Sequence, residues 1–290
     1  MIDMAVRPVY VVRESAPYFA VTNVEFGWNG GFAKVQKQKN IRAIHAGFMR
    51  SAPGKKVLEI SSKSMQEGGE ALSAFFLPKY VPALGKSVPV ECVFQAGKVF
   101  QHGGPYTDLL TATPKNAKRD ERLKTSGRLL NFTFDGKDYP LIPETIFYDF
   151  IYINALFENP ELAKIALEYD AFTDVEFNPD KSINCQAKAA ATFVSLHRMG
   201  LIDKVKDFDS FLSLYSMKSP AIKKKEKVKI ACEPEKPKIS ICAGDTLKHK
   251  VYGLGKVEAV EGTALKVIFP EVGEKTLNLT WCINNCEILK

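Results

Sequence analysis

VPVECVFQAGKVF, residues 88–100, is the stretch around which the rest of the chain can be arranged. Ser87 precedes it as an N-cap. Pro89 falls in a first turn, where its missing N–H costs little. The pattern predicts a helix. Glu91, Gln95 and Lys98 stand four and three residues apart, a spacing that puts three polar side chains on one helical face. Val93, Phe94, Gly97 and Phe100 would then pack inward. An acid, an amide and an amine on an otherwise apolar helix differ from an ordinary solvated face, which carries more charge. The plainer reading is a Glu-to-Lys surface pair.

The chain around it has 290 residues, 46% hydrophobic and 25% charged. That is the composition of a soluble globular protein and excludes collagen-like, coiled-coil and disordered chains. The length predicts about two domains. No apolar run approaches the ~18 residues that a membrane span needs. Met1-Ile2-Asp3 opens the chain without an apolar run, which predicts a cytoplasmic protein.

The net charge of +7 invites a nucleic-acid reading, but the charge is unevenly placed. Residues 1–217 hold 26 basic and 24 acidic residues, and residues 239–290 hold six of each. Segment 218–238 holds eight Lys and three Glu, with three Pro and no aromatic residue. It reads as an extended linker, or as an electrostatic tether for phosphate backbone. The chain is therefore divided into a domain at 1–217, a linker at 218–238 and a small domain at 239–290.

Apolar periodicity predicts strands at Arg7–Val12 and Lys55–Ser61, and a short one at Phe172–Phe177. Phe26–Phe32 reads as a Gly/Asn loop. Helices are predicted at Ala33–Phe48, Met65–Phe75, Pro143–Phe157, Ser182–Met199 and Lys206–Leu214. Asn159 should cap another that opens with Pro160 and Glu161, and Gly200 should stop the one before it. Beyond residue 239, short strands punctuated by Gly predict a bent β-barrel of about five strands.

Other residues are candidates for ligand contact. Gly103-Gly104-Pro105-Tyr106-Thr107-Asp108 offers close backbone approach, or simply a turn. Lys118-Arg119-Asp120-Glu121-Arg122, with Arg128, offers a pyrophosphate clamp or an exposed helix face. Asp174 and Glu176 share one side if Phe172–Phe177 is a strand. Asn184 and Gln186 then sit at a helix start, which suits an anion or a sugar hydroxyl, or only a capping turn. The six Cys contain no C-x-x-C pair. Cys282-x-x-x-Cys286 with Cys242 or His249 makes a poor zinc pattern, so reduced thiols are expected and no metal. The four His form no visible triad.

Leu72-Ser73-Ala74-Phe75 followed by Glu91-Cys92-Val93-Phe94-Gln95-Ala96-Gly97-Lys98 resembles the paired signature of the NADAR (YbiA-like) family. Ala74 stands where Asn is usual and Cys92 where His is usual. WNGGFAKVQKQKNIRAIH, LEISSKS, GGPYTDLL, AKRDERL and FTDVEFNPDKSINCQAKAA look like the subfamily of NADAR antitoxins that accompany DarT-type DNA ADP-ribosyltransferase toxins. The likeness covers about residues 7–214. GDTLKHKVYGLGKVEAVEGTALKVIFPEVGEKTLNL is similar to the Tudor/SH3-like barrel that ends UvrD-type helicases, an interaction module for protein or nucleic acid.

The resemblance implies an α+β fold: a predominantly helical NADAR domain with short strands, followed by a small SH3-like β-barrel. It implies removal of ADP-ribose from guanine bases of DNA, reversing a DarT-type toxin. The substrate or product is then ADP-ribosylated DNA or ADP-ribose, with no cofactor and no membrane partner. Two other functions stay open, an N-glycosidase acting on riboflavin-pathway intermediates and a non-catalytic reader of ADP-ribosylated DNA. The expected catalytic residues are Glu91 as proton donor, Lys98 as a Schiff-base amine and Asp174 or Glu176 as the carboxylate facing positive charge at C1″. The expected ligand-binding residues are Ser73, Phe75, Gln95, Gly103, Gly104, Tyr106, Asp108, Arg119, Glu176, Asn184 and Gln186.

Overall fold

MAVRPVYVV and FAVTNVEFG alternate in and out of a sheet face, and they pair as an antiparallel hairpin. These strands are β1 (Met4–Val12) and β2 (Phe19–Gly27), with Met4 opposite Gly27 and Val12 opposite Phe19. The computed structural model describes residues 3–179, 182–216, 241–249, 252–261, 264–278, 282 and 286–289. The chain divides into two compact units, 1–222 and 223–290. Segment 218–238, read as linker or tether, lies outside the described residues, as does Lys181.

In the first unit, α1 (Lys34–Ser51) lays Ile41, Ile44 and Phe48 against Val9, Val24 and Phe26 of the hairpin. β3 (Val57–Glu59) follows, fully buried. β4 (Pro78–Val81) and β5 (Lys86–Pro89) form a second hairpin, turned by Gly85 at φ 60°. It feeds α2 (Val90–Ala96), then β6 (Lys98–Phe100). α3 (Pro114–Arg119) is capped by the Thr113 hydroxyl, which accepts from Asn116 N at 3.3 Å. α4 (Arg122–Thr125) leads into β7 (Leu129–Phe134) and β8 (Lys137–Tyr139), which pair with β6 as a three-stranded sheet.

α5 (Ile146–Glu158) has apolar or aromatic residues on every side and is buried along nearly its whole length. α6 (Pro160–Leu167) precedes β9 (Ala171–Thr173). α7 (Gln186–Arg198) presents Ala187, Ala189, Ala190 and Ala191 to the core, and small side chains there allow close packing. α8 (Phe208–Ser216) ends the described part of the unit. The main sheet runs β2-β1-β9-β3, with β9 parallel to β3 and Thr173 opposite Glu59. The carboxyl ends of these two buried strands therefore lie side by side.

The unit is a mixed α+β fold with more strand than the sequence suggests: the periodicity missed the β4–β5 hairpin and the β6–β8 sheet. Several boundaries also move. The predicted helix 65–75 is a series of turns, because Gly68 takes φ 77° and Gly69 lies so close to Glu59 O and the Ser64 hydroxyl that no Cβ fits. The predicted helix 88–100 stops at Ala96. The predicted strand 172–177 ends at Thr173, and the helix expected from 182 begins at 186. Pro143 lies before α5, which begins at Ile146. Asn159 stands at the N-cap position of α6, but its amide donates instead to Pro78 O and Ala155 O. Gly200, at φ 68°, does close α7.

α8 is fastened to the core by a buried polar cluster. Asp149, fully buried on α5, accepts from Lys188 Nζ at 2.8 Å, Tyr215 OH at 2.6 Å and Thr145 Oγ1 at 2.9 Å. Removing one partner of such a pair leaves a buried charge uncompensated. Lys188→Ala is expected to cost about 3–5 kcal/mol in a denaturant titration. A loss below about 1 kcal/mol would show that the Lys188–Asp149 pair does not hold α7 and α5 together.

In the second unit, β10 (Thr246–His249), β11 (Gly253–Glu261), β12 (Ala264–Phe269), β13 (Gly273–Asn278) and β14 (Glu287–Leu289) pair in the order β13-β12-β11-β10-β14. Leu247, Val257, Leu265, Val267 and Phe269 form its core. The five strands match the expected number. Among the described residues they make an open antiparallel sheet, and no pairing joins β13 to β14 to close a barrel.

Candidate active site

Every side chain of α2 is buried, Glu91 and Gln95 included, at 4% and 5% exposure. A carboxyl and an amide placed so deeply need partners. Gln95 Nε2 donates to Glu91 Oε1 at 2.8 Å, and Lys118 Nζ stands 3.8 Å from the same oxygen. Gln95 Oε1 and Ser73 Oγ, by contrast, have no protein partner. Unspent buried polar atoms of this kind suit a polar ligand.

Lys98 reaches the cluster from β6 rather than from the helix. Gly97 makes the turn between them, where a Cβ would press on Thr133 O at 2.8 Å. The turn is clamped by Tyr106 N donating to Ala96 O at 2.8 Å and by Phe100 N donating to Gly103 O at 2.7 Å. Gly104, at φ 91°, passes against the Lys98 carbonyl so closely that no side chain fits. Lys98 Nζ lies 4.7 Å from the centre of the Phe94 ring. Burial lowers its pKa to about 8; the Glu91 charge opposes this and Lys118 adds to it. Lys118 itself sits 5.3 Å over Phe75.

Asp174 follows the end of β9. Its Oδ2 accepts from Gln186 Nε2 at 2.9 Å and its Oδ1 from Glu176 N at 3.0 Å. Gln186 Oε1 accepts from Ala74 N at 2.7 Å, and Ala74 O accepts from Glu91 N at 2.8 Å. A continuous chain of hydrogen bonds thus runs from Asp174 through Gln186 and Ala74 to Glu91. Gln186 is a strut between the Asp174 carboxyl group and the backbone that carries Glu91. Tyr148, buried on α5, feels both: burial raises its hydroxyl first, and the charges of Glu91 and Asp174 add to that.

Beneath Asp174 lies Glu59, with no exposed surface. It accepts from Thr173 Oγ1 at 2.6 Å and Val175 N at 2.8 Å. Burial raises the pKa of Glu59 despite these bonds. The same burial, with Glu59 as a like-charged neighbour, pushes Asp174 up to about 7. His45 Nε2 stands 2.9 Å from Thr173 Oγ1. Burial lowers His45 to about 4, so the ring is neutral. Thr173 spends its own proton on Glu59, and His45 Nε2–H therefore donates to the Thr173 hydroxyl.

The structure brings together Glu91, Gln95, Lys98, Ser73, Phe75, Asp174 and Gln186 from the residues expected by sequence. It separates others. Glu176 does not share a face with Asp174, because β9 has already ended; its exposed carboxylate pairs with Lys37 at 3.3 Å. Asp108 is held by Arg122 at 2.7 Å, and Arg122 also pairs with Asp120 and lies 4.4 Å over Tyr106. The Tyr106 hydroxyl meets that of Ser126. These residues satisfy one another at the surface. Arg119 is exposed at the end of α3, and the Asn184 carbonyl accepts from the Ser182 hydroxyl. Gly103 and Gly104 serve the turn that carries Lys98. Lys118, Glu59 and Tyr148 were not foreseen. Lys118 was visible only inside a mixed-charge run, and Glu59 only as one acid in an apolar strand.

A depression of about 750 Å³ is lined by Ser64, Met65, Glu67, Glu70 and Phe76, and one of about 190 Å³ by Val93, Ala96, Gly97 and Pro105. Neither is lined by Glu91, Lys98 or Asp174, so the polar cluster is distinct from both. Among the described residues, no group of three or more His, Cys, Asp or Glu is placed to hold a metal ion. No described helix is long and apolar enough to cross a membrane.

Residues 5–226 match the family model described as DarT1-associated NADAR antitoxin. The chain belongs to that family. No curated protein matches it. Its role is thus that of an antitoxin linked to a DarT-type toxin, in a family whose members are generally hydrolases of the N-glycosidase type. The match covers the unit that carries α2, β6 and β9, so the polar cluster lies within the NADAR region.

Proposed function

We propose that this NADAR antitoxin releases ADP-ribose from guanine bases of DNA, with Lys98 as nucleophile. The observation that carries the reading is a desolvated lysine amine, with pKa near 8, beside the Glu91 carboxylate, in a cluster where Gln186 and Ala74 tie Asp174 to the backbone N–H of Glu91. At pH 7 about one such amine in ten is neutral, against fewer than about one in 10³ for an ordinary lysine.

The bond to break joins C1″ of the ribose to the exocyclic amine of guanine. That nitrogen retains an N–H, so the ribose ring opens to an imine at C1″. The neutral Lys98 amine adds to C1″. The bond from C1″ to the guanine nitrogen then breaks, its electron pair stays on that nitrogen, and Asp174 supplies the proton. Water adds to the resulting C1″–Lys98 imine, the amine departs, and ADP-ribose closes to its ring form. Sequence analysis gave proton donation to Glu91 and the facing carboxylate to Asp174. The geometry favours the reverse, since Asp174 is the carboxyl pushed up to about 7 and Glu91 is held by Gln95 and Lys118. Ser73 Oγ and Gln95 Oε1 are left to take the ribose hydroxyls.

A small-molecule N-glycosidase would need no second unit. The sheet β10–β14 and the Lys-rich segment 218–238 before it favour a macromolecular substrate. The barrel reading of that sheet, with protein or nucleic acid as its partner, belongs to this proposal as well. The test is incubation with an oligonucleotide bearing ADP-ribosyl guanine, beside a riboflavin-pathway intermediate. Free ADP-ribose and intact DNA from the first substrate alone are expected. Turnover of the second alone would replace this reading, and tight binding without release would make the chain a reader.

A further inference from the structure

We propose that the exposed face of α1, with Phe32 at its start, is a binding surface for the single-stranded DNA that flanks the modified base. The proposal rests on the reading of ADP-ribosylated DNA as substrate and deepens it. Helix α1 holds Lys34, Lys37, Lys39, Arg42 and Arg50 and no acidic residue. The rest of residues 1–217 holds 21 basic and 24 acidic residues, so the positive charge of this region is concentrated in one helix. Lys34, Lys39, Arg42 and Arg50 are exposed and join none of the ion pairs among the described residues. Lys39, Arg42 and Arg50 fall within about 80° of arc at 3.6 residues per turn, opposite the buried Ile41, Ile44 and Phe48. The face from Lys39 to Arg50 spans about 16 Å, the length of several nucleotides.

The aromatic residues point to nucleic acid rather than to an acidic protein. Phe32 is 98% exposed immediately before the helix, and an isolated ring there has no packing role. Trp28 lies between the Arg7 guanidinium at 5.0 Å and the Lys37 amine at 5.2 Å. An exposed ring such as Phe32 beside a track of cations is a means by which proteins hold single strands, through base stacking and phosphate contact, whereas Trp28 is half-buried against the hairpin core. An acidic protein partner would be served by the cations alone.

The helix also leads to the site. Lys37 pairs with Glu176, whose backbone N–H holds Asp174, and His45 bonds Thr173 at the end of β9. Lys37 and His45 lie on the inward side of the helix, so a strand along its outer face runs one helix diameter, ~10 Å, from the segment that carries Asp174.

The test uses the full chain and an unmodified single-stranded oligonucleotide of mixed sequence, read by fluorescence anisotropy across a salt series. The triple variant Lys39→Gln, Arg42→Gln, Arg50→Gln is expected to bind about tenfold or more weakly at low salt, with a log–log salt slope smaller by about 2. Phe32→Ala should bind about tenfold more weakly with the slope unchanged. Both variants should release ADP-ribose from ADP-ribosyl guanosine, which lacks flanking DNA, at the wild-type rate. Lys86→Gln with Lys164→Gln and Lys206→Gln is the charge-matched control and should leave DNA affinity unchanged. Wild-type affinity and slope in the triple variant would overturn the proposal. So would loss of toxin binding with DNA binding intact, which would assign the face to a protein. Because the oligonucleotide is unmodified, these outcomes are read even if the wild-type chain releases no ADP-ribose, a result that would remove the proposed reaction alone.

Discussion

Lys98→Ala is expected to slow release of ADP-ribose from modified DNA by roughly 10⁴-fold or more, the scale on which loss of a nucleophile acts. The loss should fall on kcat, because the amine acts on C1″ and not on the nucleotide around it. Folding should not suffer. The amine is held among apolar groups that penalise its charge, so its removal relieves a cost. Lys98→Arg should be as inactive as the alanine variant, since a guanidinium keeps its charge and offers no free amine. Single-turnover kinetics with an ADP-ribosylated oligonucleotide measure all three chains. Activity within about tenfold of wild type in Lys98→Ala would remove the lysine from the reaction.

Asp174→Asn is expected to cost about 10²–10⁴-fold, the usual worth of a positioned proton donor. Its clearest mark is in the pH profile. Lys98 must be neutral, so the rate rises with pH toward about 8; Asp174 must be protonated, so the rate falls as pH passes about 7. The wild-type profile of kcat/KM is therefore a bell with its maximum between these values. The asparagine variant should lose the falling limb near 7. Stability moves with the same groups. Asp174 and Glu59 bind protons more tightly when folded than when unfolded. Their contribution is fully present below the ordinary carboxyl range near pH 4 and is lost as pH rises through the folded values. Wild-type thermal midpoints should fall between pH 5 and 8, and those of Asp174→Asn should fall less. A flat wild-type curve, or an unchanged falling limb in the variant, contradicts the assignment.

Much of the site was legible because one short segment carries three of its residues. Glu91, Gln95 and Lys98 stand out as polar residues in VPVECVFQAGKVF, and burial of the whole of α2 explains why they differ from a surface pair. The geometry behind the spacing was different. Lys98 joins the cluster through a glycine turn and a strand, which helical periodicity does not reveal. Asp174 stands in the polar cluster, but not on the strand that its sequence suggests. The alternation of FTDVEF suggests a strand with both acids on one side, whereas Glu59 takes the Val175 amide and the chain turns after Thr173.

What stayed hidden depends on pairing across the fold. Glu59 reads as an ordinary acid in KKVLEIS until β3 is placed beside β9, 114 residues away along the chain. Gln186 reads as the start of a helix until its amide spans from Asp174 to Ala74. Asp108 and Tyr106 looked like ligand contacts because the sequence does not show that Arg122 folds back over both. The hairpin β4–β5 went unread because prolines at Pro78 and Pro89 mask its short alternation.

The central claim is that Lys98 takes the ribose carbon from guanine, and borohydride trapping tests it most directly. Wild-type chain mixed with ADP-ribosylated oligonucleotide and borohydride is expected to gain the mass of one ADP-ribose less one water plus two hydrogens, on the peptide that contains Lys98, while unmodified guanine is recovered in the DNA. Recovery of guanine with no adduct at Lys98, under the same conditions, would contradict the account.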